Sequence, residues 1–344
     1  MNFSSDNVVE VAPEIMDALI KANEGTAPSY GSDMITARVE EKLKDIFNCD
    51  LRAFPMGTGT ACNALALSVM VPPFGAVLCH QEAHINTDEC GATEMYSGGA
   101  KLIGLEGKNG KLTSEILAPH VIGRRGVHSV QPSAISITQA NEFGVIYTPS
   151  EIREISELAK SANLYLHMDG ARFSNAIASL GCTPADITWK AGIDILSLGA
   201  TKNGAMAAEV LVCFNPSLVK EIAFRRMRAG QLFSKMRFIS AQLEAYFSND
   251  LWLKNARHAN SMAARMARGL QAIPEVKLLF PTDANEIFVC LPPAMIAGLR
   301  QAGFHFYDWP GFEEGAIRLV MAYNTKLEDV EKFITILSSL KVAA

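Results

Sequence analysis

The chain has 344 residues, 49% hydrophobic and 19% charged, a composition typical of soluble globular proteins with room for more than one domain. Its 31 basic and 36 acidic side chains give a formal net charge of −5, which argues against a general nucleic-acid binder. No apolar run is long enough to cross a bilayer, and residues 1–6 lack a signal-peptide pattern, so we expect no membrane partner. The seven cysteines are scattered without a Cys-x-x-Cys motif. This predicts reduced thiols in the cytoplasm, and argues against a disulfide scaffold or a zinc site.

Residues 1–45 are predicted to form an N-terminal segment. Val8–Val11 looks extended, and Pro13 is placed to open a short helix to about Ala22, because proline suits the first helical position. From Met34 to Phe47, apolar residues recur at helical spacing.

A segment rich in glycine and threonine, residues 57–63, follows a predicted strand over Leu51–Met56 and precedes a predicted helix over Ala64–Val71. Free backbone N–H groups and hydroxyls at a helix N-terminus bind phosphate well. The segment also begins a dinucleotide fingerprint, with Glu82 after the next predicted strand, but Cys62 replaces the third glycine. A plain helix-capping loop is the third interpretation, and the residues favour phosphate binding.

Two histidines lie next to predicted strands. His84 follows a strand that ends at Cys79, and His128 precedes a strand over Ser133–Thr138. A loop histidine is usually only a polar loop residue. At the end of a sheet strand it can instead stack on an aromatic ligand or transfer protons, so both interpretations stay open.

Two apolar runs, each predicted to be a strand, are followed by an aspartate and a lysine respectively. Leu164–Met168 stops at the turn signal Asp169-Gly170, and Ile193–Leu198 ends shortly before Lys202. A helix over 149–161, opened by a Thr-Pro-Ser-Glu capping box, leads into the first of these strands. Strand and helix alternate to about residue 214, which predicts a mostly parallel sheet. Ligands bind at the carboxyl ends of strands in such sheets.

This pair suits one cofactor chemistry. A lysine forms a Schiff base with an aldehyde once its pKa falls from about 10.4. A carboxylate keeps a pyridine nitrogen protonated. Together Lys202 and Asp169 therefore suggest a pyridoxal 5'-phosphate site. Taken singly, Asp169 is more simply a helix cap and Lys202 a surface lysine, but the other candidate residues favour the cofactor site.

The second half of the chain changes pattern at about residue 248. Val219–Phe247 is predicted to be largely helical with a break at Ala229-Gly230, and its basic residues form a solvated face on which one arginine could neutralise a phosphate. Beyond it the predicted elements are a helix over 252–272, strands over 276–280 and 287–291, a helix over 294–301, strands over 304–309 and 316–323, and a last helix to about 340 opened by a capping box at Thr325–Glu328. Mixed strands with helices on one face predict a smaller α+β domain over 248–344, after a large domain over 46–247.

Arg318 lies inside the apolar run 317–320. A charge in that position is costly unless it is paired. From this segment alone its partner is either a structural acid or an anionic substrate.

The motifs together resemble the low-specificity L-threonine aldolases, a group of beta-eliminating lyases, over nearly the whole chain. The resemblance rests on Ser5-Asp6-Asn7, Tyr30-Gly31-x-Asp33, Thr58-Gly59-Thr60-x-x-Asn63, Ala83-His84, Thr87-Asp88-Glu89-Cys90-Gly91, His167 to Asn175, Thr201-Lys202-Asn203-Gly204, Ala229-Gly230-Gln231 and Ser234-Lys235-Met236-Arg237. It implies an α/β fold of type I, like that of aspartate aminotransferase, with a mostly parallel sheet in the large domain and a smaller α+β C-terminal domain.

The resemblance also implies roles for individual residues. Lys202 matches the lysine that carries pyridoxal phosphate, Asp169 the partner of the ring nitrogen, and His84 the histidine stacked on the ring. The implied phosphate ligands are Gly59, Thr60, Thr201 and, reaching a neighbouring subunit, Arg237. The implied substrate-binding residues are Ser5, Arg172 and Arg318 at the carboxylate, His128 near the substrate hydroxyl, and Tyr30.

The implied reaction is cleavage of L-threonine, L-allo-threonine and related β-hydroxy-α-amino acids to glycine and an aldehyde. A homodimer or homotetramer with shared active sites is expected with it. Alternatives on the same fold are β-elimination and racemisation, because sequence does not show which bond lies perpendicular to the ring. A nucleotide-dependent oxidoreductase is a further alternative, but it leaves Asp169, Arg172 and Lys202 unexplained. His84 and His128 are both candidates for the base at the hydroxyl.

Overall fold

The computed structural model describes residues 1–123 and 126–340. Seven strands form the larger sheet: β1 (Arg52–Met56), β2 (Gly75–His80), β3 (Lys101–Leu105), β4 (Gln131–Thr138), β5 (Tyr165–Gly170), β6 (Ile195–Gly199) and β7 (Glu209–Cys213). Their order is β1-β7-β6-β5-β4-β2-β3, and β7 is antiparallel to both of its neighbours while the other pairs are parallel. The predicted mostly parallel sheet is confirmed.

The helices in the described ranges are α1 (Pro13–Ala22), α2 (Met34–Phe47), α3 (Gly59–Met70), α4 (His84–Thr87), α5 (Ala92–Ser97), α6 (Ser114–Leu117), α7 (Pro149–Ser161), α8 (Phe173–Leu180), α9 (Val219–Arg228), α10 (Arg237–Tyr246), α11 (Leu251–Gln271), α12 (Pro293–Gln301) and α13 (Leu327–Ser339). Helices α1, α2 and α7 have the predicted bounds. Local signals explain this agreement: Pro13 opens α1, Asp33 caps α2, and Thr148 with Glu151 forms the predicted capping box of α7. None of the helices described is long and apolar enough to span a membrane.

The larger sheet is buried on both faces. Every residue of β2, β6 and β7 is buried, as is usual for parallel strands covered by helices on both sides. Neighbouring residues alternate between the two cores, with Leu196 in one and Ile195 in the other. Helix α3 is buried almost all round, which fixes its N-terminus at the edge of the sheet.

A second sheet lies in the C-terminal part of the chain. Its strands are β8 (Lys277–Leu278), β9 (Glu286–Cys290), β10 (Tyr307–Asp308) and β11 (Ala316–Val320), in the antiparallel order β10-β11-β9-β8. A separate hydrophobic core joins it to residues of α11, α12 and α13. Phe3 belongs to this core, and its carbonyl oxygen accepts a hydrogen bond from the N–H of Val320 at 2.8 Å. The N-terminal segment is thus tied to the C-terminal sheet. The division at residues 45 and 247 stays a prediction.

Several local predictions are wrong. Helix α3 begins at Gly59, five residues before the predicted start, because Thr58 caps it by accepting from the N–H of Ala61. The expected extended run after residue 7 begins instead as a 3₁₀ turn over Asp6–Val8. The predicted strand over 304–309 is reduced to the two residues of β10, because the N–H of Phe304 bonds to the end of α12.

The capping box predicted at Thr325 is also wrong. The hydroxyl oxygen of Thr325 accepts a hydrogen bond from the N–H of Ala322 at 2.8 Å. Lys326 occupies the cap position of α13 without a side-chain bond. Thr325 therefore closes a turn one residue before the cap position.

Candidate active site

A cavity of about 360 Å³ lies where the strands of the larger sheet end. Of the residues predicted from the sequence, those that line it are Gly59, Thr60, His84, Asp169, Arg172, Thr201 and Lys202. Asp169 is at the end of β5, and the others come from the segments that follow β1, β2, β5 and β6. The cavity is therefore at the carboxyl edge, where α/β sheets bind ligands.

The topology brings Asp169 and Lys202 to this edge. Strands β5 and β6 are parallel neighbours, with Asp169 opposite Ser197, and Lys202 follows β6 by three residues. Gly199 permits the close approach: a Cβ there would lie 2.6 Å from the carbonyl oxygen of Ala171. The two side chains therefore face one cavity although they are 33 positions apart in the sequence.

Asp169 is held from two directions. Its Oδ2 accepts from Asn63 Nδ2 at 2.8 Å, and its Oδ1 accepts from the N–H of Ala171 at 3.0 Å. Helix α8 begins later, at Phe173, with Arg172 at its cap position and no side-chain cap bond. The helix-cap interpretation of Asp169 is therefore wrong, and its carboxylate is fixed at the cavity instead.

Lys202 lies on a 3₁₀ turn over Thr201–Asn203 and is half-buried. Within residues 1–123 and 126–340, nothing accepts a hydrogen bond from its amine. The positive charge of Lys202 acts to lower the pKa values of three nearby carboxyl groups, those of Asp6, Glu209 and Glu286. An amine that lines a cavity and has no hydrogen-bond acceptor is available for covalent chemistry, in contrast to the surface-lysine interpretation.

The N-terminus of α3 also opens on the cavity. The N–H groups of Gly59 and Thr60 have no acceptor in the described part of the chain, and a Cβ on Gly59 would meet nothing within 4 Å. Such free N–H groups, with the positive end of the helix dipole, favour a phosphate. The dinucleotide interpretation fails on topology: β1 lies at the edge beside antiparallel β7, and β2 is far across the sheet, so β1, α3 and β2 do not form a βαβ unit.

His84 is oriented by an acid. Its Nδ1 lies 2.8 Å from Oε1 of Glu89, a buried carboxylate that also accepts from Asn63 Nδ2 at 2.9 Å. The hydrogen bond to Glu89 raises the pKa of His84 above its ordinary value, against the opposing effect of burial.

The two arginines pair with acids that sequence reasoning did not assign. Arg172 Nε and Nη2 donate to Asp6 at 2.8 and 3.0 Å, and Arg172 Nη1 lies 3.1 Å from Glu286. Arg318 Nη1 lies 3.7 Å from the other oxygen of Glu286, and its Nη2 donates to the carbonyl oxygen of Ser4 at 3.0 Å. Its guanidinium stacks over the ring of Trp309 at 4.8 Å. Glu286 is the first residue of the otherwise apolar strand β9, a signal that could have suggested it as the partner of Arg318.

Five predicted residues do not line the cavity of a single chain: Arg318, whose contacts are given above, and Ser5, Tyr30, His128 and Arg237. Ser5 Oγ accepts from the N–H of Asn7, which does line it. Tyr30 is exposed, and so is His128, on the 3₁₀ turn that ends there. Arg237 is half-buried and donates to the carbonyl oxygen of Gly25 at 3.3 Å. The structure of one chain therefore does not place these five residues in the cavity that Lys202 lines.

Two acidic residues that the sequence did not single out, Glu142 and Glu209, also line the cavity. Glu142 Oε1 accepts from the N–H of His84 at 3.0 Å and from the hydroxyl of Thr138 at 2.8 Å. Glu209 Oε2 accepts from the N–H of Ala200 at 3.1 Å. Burial raises the pKa of each of the two carboxyls to about 7. No motif marks them, because their burial comes from elements far away in the sequence.

The raised pKa of Glu209 predicts a pH-dependent stability. The folded protein holds the Glu209 proton up to about pH 7, whereas the unfolded chain loses it near 4.5. The contribution of Glu209 to the free energy of unfolding is thus fully present below pH 4.5 and is lost as the pH rises through 7. We expect Glu209→Gln to raise the free energy of unfolding at pH 8 by up to about 3 kcal/mol relative to its effect at pH 5. Denaturant unfolding at pH 5 and pH 8 measures the difference, and Glu275→Gln, a change at an exposed glutamate, is the control. An equal effect of Glu209→Gln at the two pH values would contradict the raised pKa of Glu209.

The profile of the beta-eliminating lyase family matches residues 2–292. The low-specificity L-threonine aldolase of Pseudomonas aeruginosa is 41% identical over 96% of this chain and 95% of its own length. That of another Pseudomonas strain is 42% identical over 94% of this chain and 93% of its own. The solved structure of Leishmania major threonine aldolase matches with a TM-score of 0.93 at 30% identity, over 98% of this chain and 99% of that one.

Proposed function

Because the chain belongs to the beta-eliminating lyase family, we propose that it is a pyridoxal phosphate-dependent aldolase that cleaves L-threonine, L-allo-threonine and related β-hydroxy-α-amino acids to glycine and an aldehyde. The observation that carries this proposal is the cavity in which the Asp169 carboxylate and the Lys202 amine lie together. The predicted α/β fold of type I is confirmed by the match to the Leishmania structure.

The residues of the cavity suit pyridoxal 5'-phosphate. Lys202 would hold the aldehyde, and the Asp169 carboxylate, fixed by Asn63, would face the ring nitrogen. The free N–H groups of Gly59 and Thr60, together with Thr201, would receive the phosphate. His84 lines the same cavity, where its ring can stack on that of the cofactor. When bound, the cofactor supplies an electron sink for the charge that develops at the substrate Cα.

The substrate carboxylate is proposed to bind at Arg318, which lies beside the Glu286 partner of Arg172, although of the two arginines only Arg172 lines the cavity itself. Asp6 and Glu286 already engage all three nitrogens of Arg172. Arg318 Nε, in contrast, is buried and has no partner in the described residues. Arg318 therefore retains an N–H for an entering carboxylate, and a carboxylate held there orients the Cα–Cβ bond against the ring.

Replacing Arg318 with leucine should raise KM for the amino acid by roughly 10- to 100-fold, because it removes a charge-assisted hydrogen bond in a buried place. Steady-state kinetics with L-threonine measures this, and kcat should change less. Arg300→Leu is the matched control, since Arg300 pairs with Asp308 at the surface of the same region. An unchanged KM in the Arg318 variant would assign Arg318 to structure alone.

A homodimer or homotetramer is proposed on the exposed apolar surface. Phe74, Met34, Met95 and Phe224 each expose 69% or more of their surface. A neighbouring copy would cover such residues and would let Arg237 reach the phosphate, and Tyr30 or His128 the substrate, of the next subunit. The mass in solution, measured by light scattering, decides between dimer and tetramer. The seven cysteines are free thiols, which suits the proposed cytoplasmic location.

The test of the proposed function is product analysis with L-threonine, L-allo-threonine and phenylserine side by side. Aldol cleavage gives glycine and the matching aldehyde from each substrate that the enzyme accepts. β-Elimination gives ammonia and an oxo acid, and racemisation gives the D-amino acid. The relative rates on the three substrates also define the preference at Cβ, on which the sequence is silent.

A further inference from the structure

Glu142 is a carboxyl group of the cavity that the proposed reaction has not used. Glu142 follows β4 and lines the cavity together with His84, Asp169 and Lys202. One of its oxygens accepts from the N–H of His84 and from the hydroxyl of Thr138. The backbone N–H of Glu142 itself also interacts with the carboxylate, and no other described residue donates a hydrogen bond to the second oxygen, Oε2. The carboxyl is therefore fixed in place with one oxygen available to the contents of the cavity.

The two histidines are weaker candidates for the base at the substrate hydroxyl. His128 is exposed and does not line the cavity of its own chain. His84 does line it, but its Nδ1 is already engaged by the Glu89 carboxylate at 2.8 Å, a bond that raises the pKa of the ring. A base must be within reach of the hydroxyl and unprotonated when the reaction begins.

The surroundings of Glu142 favour a group that gains and loses a proton near neutral pH. Burial is the main cause that raises its pKa to about 7, and the charge of Asp169 adds to it. The other titratable or charged groups that face it are Arg172 from the segment before α8, His84 from the start of α4, Cys79 from β2 and Tyr147 from the segment before α7. A base whose pKa lies near the operating pH is the most effective kind.

We propose that Glu142 is the catalytic base that takes the β-hydroxyl proton, an inference that rests on the proposed function. The O–H bond breaks as Glu142 Oε2 takes the proton, and the oxygen electron pair forms the C=O bond of the aldehyde. The Cα–Cβ bond breaks, and its electron pair stays with the glycine fragment. One proton is then added at Cα and Glu142 gives up the one it took, so the enzyme returns to its starting state with no net change in protons.

Glu142→Gln tests the proposal, because the amide oxygen can still accept from His84 and Thr138 but cannot take a proton. We expect cleavage of L-threonine by the holoenzyme to fall by about 100-fold or more. Cofactor content, from the visible spectrum, should match the wild type. Glu82→Gln is the control: this acid is exposed, lies two residues before His84, and does not line the cavity.

A second readout separates the hydroxyl step from the rest of the site. Exchange of the α-protons of glycine with deuterium from the solvent, followed by NMR, needs the cofactor and Lys202 but no hydroxyl group. Glu142→Gln should keep this exchange within a few-fold of the wild type. If exchange and cleavage fall together, or if both are retained, the proposal is overturned.

The pH profile gives a test that does not depend on the glutamine variant folding. In the wild type, kcat/KM should rise as the pH passes through about 7, together with loss of the infrared absorption of a neutral carboxyl. Glu142→Asp should keep the rise at a lower rate. A flat profile in the wild type would contradict the role of Glu142. A wild-type holoenzyme that releases no aldehyde at any pH would instead overturn the proposed function itself.

Discussion

A Lys202→Ala variant is expected to lose the visible absorption of bound pyridoxal phosphate and nearly all turnover of L-threonine. Lys202 supplies an amine that lines the cavity and makes no hydrogen bond to a described residue, so no protein contact competes with the cofactor aldehyde. Without the amine the cofactor would be held only by noncovalent contacts. Absorption spectra after gel filtration and assays of glycine formation measure both effects.

The control is Lys326→Ala, because Lys326 is exposed at the start of α13 and makes no side-chain cap bond. It should retain full absorbance and activity. A Lys202 variant that stays yellow and fully active would show that the cofactor, if any, is bound elsewhere.

An Asp169→Asn variant should retain the fold and lose roughly 100- to 1,000-fold in kcat, the range typical for removal of one preorganised electrostatic group. Asparagine keeps an oxygen that can accept from the N–H of Ala171, so the turn after β5 should persist. It cannot carry the negative charge that keeps the ring nitrogen protonated, so the cofactor becomes a poorer electron sink. KM should change much less, since the carboxylate of the substrate is bound elsewhere.

Asp45→Asn, an exposed change on α2, is the matched control for charge removal. Circular dichroism and kinetics on both variants separate folding from catalysis. Wild-type kcat in Asp169→Asn would rule out the ring-nitrogen role of this residue.

Local signals were enough to predict much of the fold. Pro13 and the Thr148–Glu151 capping box gave the bounds of α1 and α7, because caps act within one helical turn. Asp169 and Lys202 could be placed at one edge because each follows an apolar strand, and parallel strands end at the same edge. The helix after residue 57 was predicted too short, because it begins at Gly59, where the side chain of Thr58 caps it.

The remaining features depend on long-range packing. Glu142 and Glu209 are ordinary acids in the sequence, and their raised pKa values arise from burial by distant elements. In the sequence, Arg318 is a charged residue in an apolar run and its partner is not evident. In the structure, the pairing of β9 with β11 places Glu286 beside it. Arg237, His128 and Tyr30 lie outside the cavity of one chain, so their predicted roles depend on a neighbouring copy.

The most direct test of the central claim is the yield of glycine and acetaldehyde from a known amount of L-threonine, measured with the purified holoenzyme. The account predicts equal amounts of the two products, each matching the threonine consumed, with no ammonia released. Ammonia together with an oxo acid, or D-threonine without any aldehyde, would mean that the cavity around Lys202 breaks a different bond.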